Sequence, residues 1–343
     1  MSFDITLLAV SLALILAASI LFTNAVEVLG ENLGMHQGAT GSILAAVGTA
    51  LPETVIPVIA ILWFADAEAK NIAVGAIAGA PFMLSTLAFF VTGAAVFIFT
   101  LLRRRTLTMK LDMGIFSRDM TFFLVSYSLA ILATFVHEIT PLKWLVAGLL
   151  LGIYILYTYV TVKSDAAELE EVDHLYLCRL MKRKDPNFLL IGIQLAVSLA
   201  VMIAGAHLFV TCTKEVAAAF GISALVLSLI ITPIATELPE KCNSVRWIGK
   251  KKDTLALGNI TGAMVFQSSF PVAFGLVGTH WDLCHENNGV TLFSALVTLL
   301  CGGMILILAR SAHQLAGRIM PWLLLSGGAF YTAFIIYLLR QKM

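Results

Sequence analysis

The sequence predicts an all-α membrane protein with ten transmembrane helices in two inverted five-helix repeats. Three observations predict it. Only 13% of the 343 residues are charged and 59% are hydrophobic, where soluble domains carry about 25% charge. Ten apolar stretches are each long enough to cross a bilayer, and one polar motif recurs within the chain. Mean hydropathy is +0.92, too apolar for a soluble enzyme or a disordered chain, and a net charge of +1 excludes a nucleic-acid binder. Five scattered cysteines, at 178, 212, 242, 284 and 301, form no CxxC pair, so neither a disulfide framework nor a zinc site is readable.

A spanning helix needs about 20 mainly apolar residues. The stretches that qualify are 5–26, 37–64, 71–102, 119–137, 141–162, 187–211, 215–247, 253–280, 289–309 and 320–339. The first is read as retained, because Met1-Ser2-Phe3-Asp4 lacks the positive start of a signal peptide. Residues 1–162 then form one five-helix repeat, 163–186 a linker and 187–343 the second repeat. The linker mixes an acidic run (Asp165, Glu168, Glu170, Glu171, Asp173) with a basic one (Arg179, Lys182, Arg183, Lys184). It reads as a solvated cytoplasmic connection, with a weak cation sensor in the acidic run as the alternative.

Loops after odd-numbered spans hold 17 Lys and Arg against 5 on the other side, or 15 against 5 if Lys241 and Arg246 lie within the seventh span. By the positive-inside rule both termini face away from the cytoplasm, in a cell (inner) membrane.

The internal repeat is the most informative feature. Gly48-Thr49-Ala50-Leu51-Pro52-Glu53 corresponds to Ala235-Thr236-Glu237-Leu238-Pro239-Glu240 at an offset of 187. At the same offset Leu33-Gly34-Met35 falls on Phe220-Gly221-Ile222. Residues 73–80 match 256–263 at an offset of 183. The copies occupy spans two and three and spans seven and eight, and a separation of five spans inverts the direction of insertion. Inverted repeats with a site near the midplane mark secondary transporters.

A carboxylate inside a span costs at least ~2.5 kcal/mol, so it normally faces a polar interior or a pathway. Glu53 and Glu240 each follow a proline that withholds an amide from the carbonyl four residues earlier, Gly48 or Ala235. Carbonyl, Thr hydroxyl (Thr49, Thr236) and carboxylate oxygens are the ligands of a hard cation, and both proline-breaks are expected to interrupt their helices. Glu237 is a third ligand, a proton carrier or the (i, i+4) partner of Lys241. Gly75, Gly79, Gly258 and Gly262 make two GxxxG steps that let spans three and eight approach the Glu-bearing helices. Asn259, Thr261, Gln267, Ser268 and Ser269 form a polar stripe opposite Ser85 and Thr86. His36, His137, His207 and His313 read as interface histidines, and Asn24 and Glu27 as candidates for a permeation mouth.

At these motifs the sequence resembles the cation/calcium exchanger superfamily, the sodium/calcium-exchanger-like membrane proteins. Their two repeats carry Gly-Thr-Ser-Leu-Pro-Glu followed by Gly-Asn-x-x-Gly-Ser-Asn. The second motif is here Gly75-Ala76-Ile77-Ala78-Gly79-Ala80-Pro81 and Gly258-Asn259-Ile260-Thr261-Gly262-Ala263-Met264. The resemblance spans both repeats. It implies Glu53 and Glu240 as shared calcium ligands, helped by carbonyls around Thr49 and Thr236. The chain departs from the family where Ala80, Pro81, Ala263 and Met264 replace oxygen-bearing side chains, and where Glu237 replaces a small Ser. Only Asn259 keeps an amide.

The expected function is secondary active cation antiport, exchanging Ca²⁺ or another divalent cation against Na⁺ by alternating access. Proton-coupled antiport, with Glu237 carrying the proton, is the alternative, and a passive channel stands behind it. A channel is normally a symmetric oligomer with few spans per chain. Catalysis is not expected, since neither HExxH nor a Walker motif is present. The metal-ligand candidates are Gly48, Thr49, Glu53, Ala235, Thr236, Glu237, Glu240 and Asn259. The expected partners are inorganic cations and the lipid bilayer, with no nucleic acid and no resident cofactor.

Overall fold

Hydrocarbon offers a backbone no hydrogen-bond partner, so a chain this apolar must close its amides on itself. In the computed structural model every regular element among the described residues is helical. The described residues are 2–33, 45–64, 66–164, 174–182, 186–284 and 289–341, with the side chains of 2, 45–50, 164, 235, 239 and 341 excepted. His36 and the acidic run of the linker lie outside them.

Among the described residues, eight helical stretches are long and apolar enough to cross a membrane, from Phe3–Asn32 to His313–Arg340. Two shorter apolar helices, Leu51–Phe64 and Ala224–Ile234, stand where the second and seventh spans were expected. The elements in order are α1 (Ser2–Asn32), α2 (Ala45–Ile59), α3 (Ala67–Met83), α4 (Phe89–Leu101), α5 (Met113–Leu132), α6 (Thr140–Ser164) and α7 (Tyr176–Leu180). They continue with α8 (Phe188–Phe220), α9 (Ala224–Thr236), α10 (Leu238–Gly249), α11 (Asp253–Gln267), α12 (Phe270–Gly278), α13 (Gly289–Ser311) and α14 (Ala316–Gln341). One π-helical turn, Ala60–Phe64, extends α2, and another, Leu84–Ala88, joins α3 to α4.

The boundary between the sixth and seventh spans needs correction. Residues 215–220 belong to α8, which runs on until Gly221 adopts φ +63 at its end. A left-handed residue at that position stops a helix, and glycine adopts it without steric cost. Hydropathy had placed the end at the polar run Thr211–Glu215, but a helix can outlast its apolar stretch.

The chain forms two compact units, each drawn from both halves of the sequence: Met1–Ala73 with Ile155–Ala224, and Val74–Tyr154 with Leu225–Met343. In the first unit α1 and α8 run antiparallel. Gly205 lies against Ile15 and Ser11, and further along Gln194 Nε2 donates to Asn24 Oδ1 at 3.0 Å. The short α7 is pinned here, since Tyr176 N donates to Asn24 Oδ1 and Leu177 N to Gln194 Oε1. Asn24 is thus a clamp between backbone and helix, which accounts for its burial. Beneath it Ala25, Val28, Leu175, Cys178, Leu190 and Ile191 form an apolar cluster. At the other end Lys214 pairs with Asp66 and covers the Phe64 ring, which also packs on His207. The Lys214 hydrogen bond holds the Asp66 carboxyl below its ordinary pKa.

In the second unit the segment after α4 is latched onto the α10–α11 turn. All five N–H groups of buried Arg105 are used: two reach Asp253 (2.6 and 2.9 Å) and three reach the carbonyls of Thr106, Thr108 and Ile248. Lys110 N also donates to Asp253 Oδ2, and Met109 N to the carbonyl of Gly317. Three loops rich in Lys and Arg therefore meet at one end of this unit. At its opposite end Lys143 donates to the carbonyl of Thr279, and Trp281 Nε1 to that of Ala130.

The two GxxxG steps behave differently. A Cβ on Gly75 would lie 2.3 Å from the Leu225 carbonyl oxygen, and one on Gly79 would lie 2.2 Å from that of Leu229. These glycines let α3 touch the backbone of α9. Gly258 has nothing within 4 Å of its Cβ position, so the close-packing reading does not hold there. Gly79→Ala should therefore sharply reduce folded yield and thermal stability in detergent, while Gly258→Ala should be neutral or slightly stabilising. Equal behaviour of the two variants in a melting assay would contradict this packing.

Candidate cation site

In the first copy of the repeat, Glu53 lies on α2 at 3% exposure. Pro52 does not interrupt this helix, which is continuous over Ala45–Ile59, contrary to the expected break. Helical residues on both sides hold the backbone in register, and the proline removes one bond rather than a turn. Gly48 still loses its usual donor, because proline has no N–H. The side chain of Thr49 lies outside the described residues. The chain relaxes further on, where Pro57 precedes the π turn Ala60–Phe64.

The second copy does break. α9 ends at Thr236, Glu237 leaves the helical region with φ −88 and ψ 8, and α10 starts at Leu238 with Pro239 in its first turn. Glu240, at 3% exposure, stands in that first turn, where the unbonded amides of a helix N-terminus favour negative charge. Thr236 donates its hydroxyl to the Thr232 carbonyl at 2.9 Å, which leaves the oxygen's lone pairs as its remaining capacity. The Ala235 carbonyl faces no amide from Pro239.

Glu237 is 1% exposed. Its Oε2 accepts from Lys241 Nζ at 2.8 Å, and the same ammonium reaches the Pro233 carbonyl at 3.3 Å. Of the three roles open to Glu237, the ion pair is therefore realised. Lys241 is buried on α10 rather than exposed in a loop. Glu237 Oε1 has no hydrogen-bond partner among the described residues.

Asn259 spends its amide nitrogen on α10, donating to the Glu240 carbonyl at 3.1 Å and to Ser244 Oγ at 3.2 Å, while Ser244 donates to the Ala256 carbonyl. Only its Oδ1 remains to meet a cation. Further along, Ser268 and Ser269 both return their hydroxyls to the Val265 carbonyl. α11 ends at Gln267 and α12 begins with Pro271 in its first turn. This second break in a span was signalled by Ser268-Ser269-Phe270-Pro271 and was not anticipated. Buried Asp119 was missed as well, having been read only as the first residue of a span. It accepts from Thr261 Oγ1 at 2.7 Å and from Arg118 Nε at 3.1 Å. Ala80 and Met264 are fully buried and offer a methyl and a thioether where an oxygen was expected.

Among the described residues no three His, Cys, Asp or Glu side chains gather as a metal centre. A divalent ion at these motifs would complete its shell with carbonyl, hydroxyl and amide oxygens.

The sodium/calcium exchanger protein family matches residues 3–163 and 190–343. The chain belongs to that family. Among its relatives, an uncharacterized membrane protein of Methanocaldococcus jannaschii is 27% identical over 154 residues, 45% of this chain and 48% of that protein. The match thus spans about half the length of that relative. The inner membrane protein YrbG of Escherichia coli is 25% identical over 262 residues, 76% of this chain and 75% of YrbG. The putative antiporter CaxA of Alkalimonas amylolytica is 40% identical over 74 residues, 22% of this chain and 23% of CaxA. In fold, this exchanger-family chain is similar to the H⁺/Ca²⁺ exchanger CAX, with a TM-score of 0.68, 19% identity, and 98% of this chain and 82% of that one covered. It is also similar to the sodium-calcium exchanger NCX_Mj, with a TM-score of 0.54, 21% identity, and 97% and 98% covered. With eight long apolar helices among the described residues, this family member is an integral membrane protein.

Asn259→Ala would remove the amide that ties α11 to the Glu240 carbonyl and the Ser244 hydroxyl of α10, and a typical hydrogen bond contributes about 0.5–1.5 kcal/mol. A lowered melting temperature in detergent is expected, with Asn259→Gln recovering part of the loss. An unchanged melting temperature in Asn259→Ala would show that the α10–α11 contact does not depend on this amide.

Proposed function

We propose that this protein is a secondary active antiporter that moves Ca²⁺ or another divalent cation against Na⁺ by alternating access. The observation that carries the reading is the duplicated Leu-Pro-Glu, whose two carboxylates, Glu53 and Glu240, are both buried at 3% exposure. A 2+ ion leaving water needs its charge met inside the protein, and two acids in repeated, proline-marked settings supply that charge. Gly48, Thr49, Ala235, Thr236 and Asn259 would add neutral oxygens, and no resident cofactor is involved.

The proposed architecture is ten spans in two inverted repeats, 1–162 and 187–343, joined by the 163–186 linker. The family match supports it by falling in two stretches on either side of that linker. Orientation with both termini outside the cytoplasm follows from the basic loops, and an inner membrane from the likeness to YrbG.

Na⁺ is the first choice of counter-ion. A proton on Glu237 is the second, and the Lys241 ammonium that already compensates this carboxylate at 2.8 Å weighs against it. The test is isotope flux of several divalent cations into proteoliposomes under a Na⁺ gradient, a pH gradient or neither. Glu53→Gln and Glu240→Gln should each nearly abolish uptake while the protein is still recovered folded. Wild-type rates in either variant would remove that residue from the site. Saturable uptake that depends on Na⁺ is expected. Flux that needs no counter-ion would indicate a channel, and flux driven by a pH gradient alone would indicate proton exchange.

A further inference from the structure

We propose that the Lys241 ammonium is a tethered substitute for one alkali cation, holding a monovalent cation site beside Glu240 that in its absence would bind Na⁺ or K⁺. The inference deepens the antiporter reading and rests on it for its consequence, which is a smaller requirement for the coupling ion.

The helix break at Glu237 gathers the oxygens of such a site within five residues. Pro233 offers its carbonyl and Glu237 its carboxylate. The Lys241 ammonium contacts both, at 3.3 and 2.8 Å. Carbonyl plus carboxylate is the donor set of a hard monovalent cation, and an ammonium is a compact point charge that takes the same ligands.

Burial says that the pair is more than a helix staple. Glu237 and Lys241 are both buried, and an ion pair at such a position recovers its desolvation only when its remaining atoms are also bonded. Glu237 Oε1 has no partner among the described residues, so the pair is incompletely satisfied in the way a ligand site is.

The test compares wild type with Lys241→Gln, Lys241→Arg and the double variant Glu237→Gln/Lys241→Gln. Each is purified without divalent ions and titrated with NaCl, KCl or choline chloride. Lys241→Gln should gain a stabilisation by Na⁺ or K⁺, read as a rise in melting temperature that choline does not give and that wild type lacks. The double variant and Lys241→Arg should not gain it. If Lys241→Gln is too unstable without alkali ions, rescue of its folded yield by Na⁺ or K⁺ but not by choline is the expected result. A variant equally stable, or equally unfolded, in all three salts would overturn the proposal. In proteoliposomes the activation of divalent uptake by Na⁺ should steepen in Lys241→Gln, as expected for one more bound ion. Absence of any divalent flux in wild type would defeat the antiporter reading alone, because the salt titration of melting decides the lysine's role independently.

Discussion

The cost of placing charge in a low-dielectric interior governs this protein more than any other interaction. Of its 43 charged residues, several of the buried ones stand beside an opposite charge: Arg105 with Asp253, Arg118 with Asp119, Lys241 with Glu237. Glu240 stands in the first turn of a helix that a break has opened. The helices supply what lipid cannot, since each keeps its backbone bonds inside itself and leaves only its side chains to negotiate with the surroundings. Outward positions on α6, such as Leu145, Leu149 and Ile155, are exposed and apolar, which suits acyl chains and not water.

Close approach of helices follows from the same economy. Hydrocarbon gives apolar helices no hydrophobic reason to associate, so contact depends on packing and on internal polar links. α3 reaches α9 through Gly75 and Gly79 because no Cβ stands between the backbones. α5 reaches α11 through Thr261 and Asp119, and α10 reaches α11 through Asn259. The Glu240-bearing helix is therefore located by a glycine contact on the helix before it and an amide link on the helix after it. Its carboxylate stands on a framework fixed from two directions.

Much of this was legible in the sequence, because membrane spans and prolines act over short distances. The positions of the apolar helices and the break at Glu237 follow from local composition. Gly221 marked the start of the second motif, yet the preceding helix reached it, since hydropathy measures affinity for lipid and a helix ends only where its backbone bonds do. The continuity of α2 through Pro52 was not legible: the two copies share the Leu-Pro-Glu, but only the second carries Glu237 and Lys241 beside it. Asp119 and the Arg105 latch escaped because their partners lie more than 140 residues away, and no local pattern announces such a pairing. Gly258 looked like Gly75 in sequence, and only the space around it separates a packing glycine from a tolerated one.

Among the described residues, two buried charge pairs differ in how completely they are satisfied. Arg105 spends five N–H groups on Asp253 and three carbonyls, and Asp253 receives Lys110 N in addition. Planar guanidinium matched to carboxylate in this way resists exchange with any free ion, because no mobile cation offers five directed donors. Glu237 and Lys241 are built with the opposite chemistry. The ammonium has no fixed plane, its four-carbon stem can swing, and one carboxylate oxygen keeps unused capacity among the described residues. A pair of the first kind holds loops together, while a pair of the second kind can be matched by a mobile cation of the same charge. Its place three residues before Glu240, at the break in the helix, sets that replaceable charge beside a second buried carboxylate.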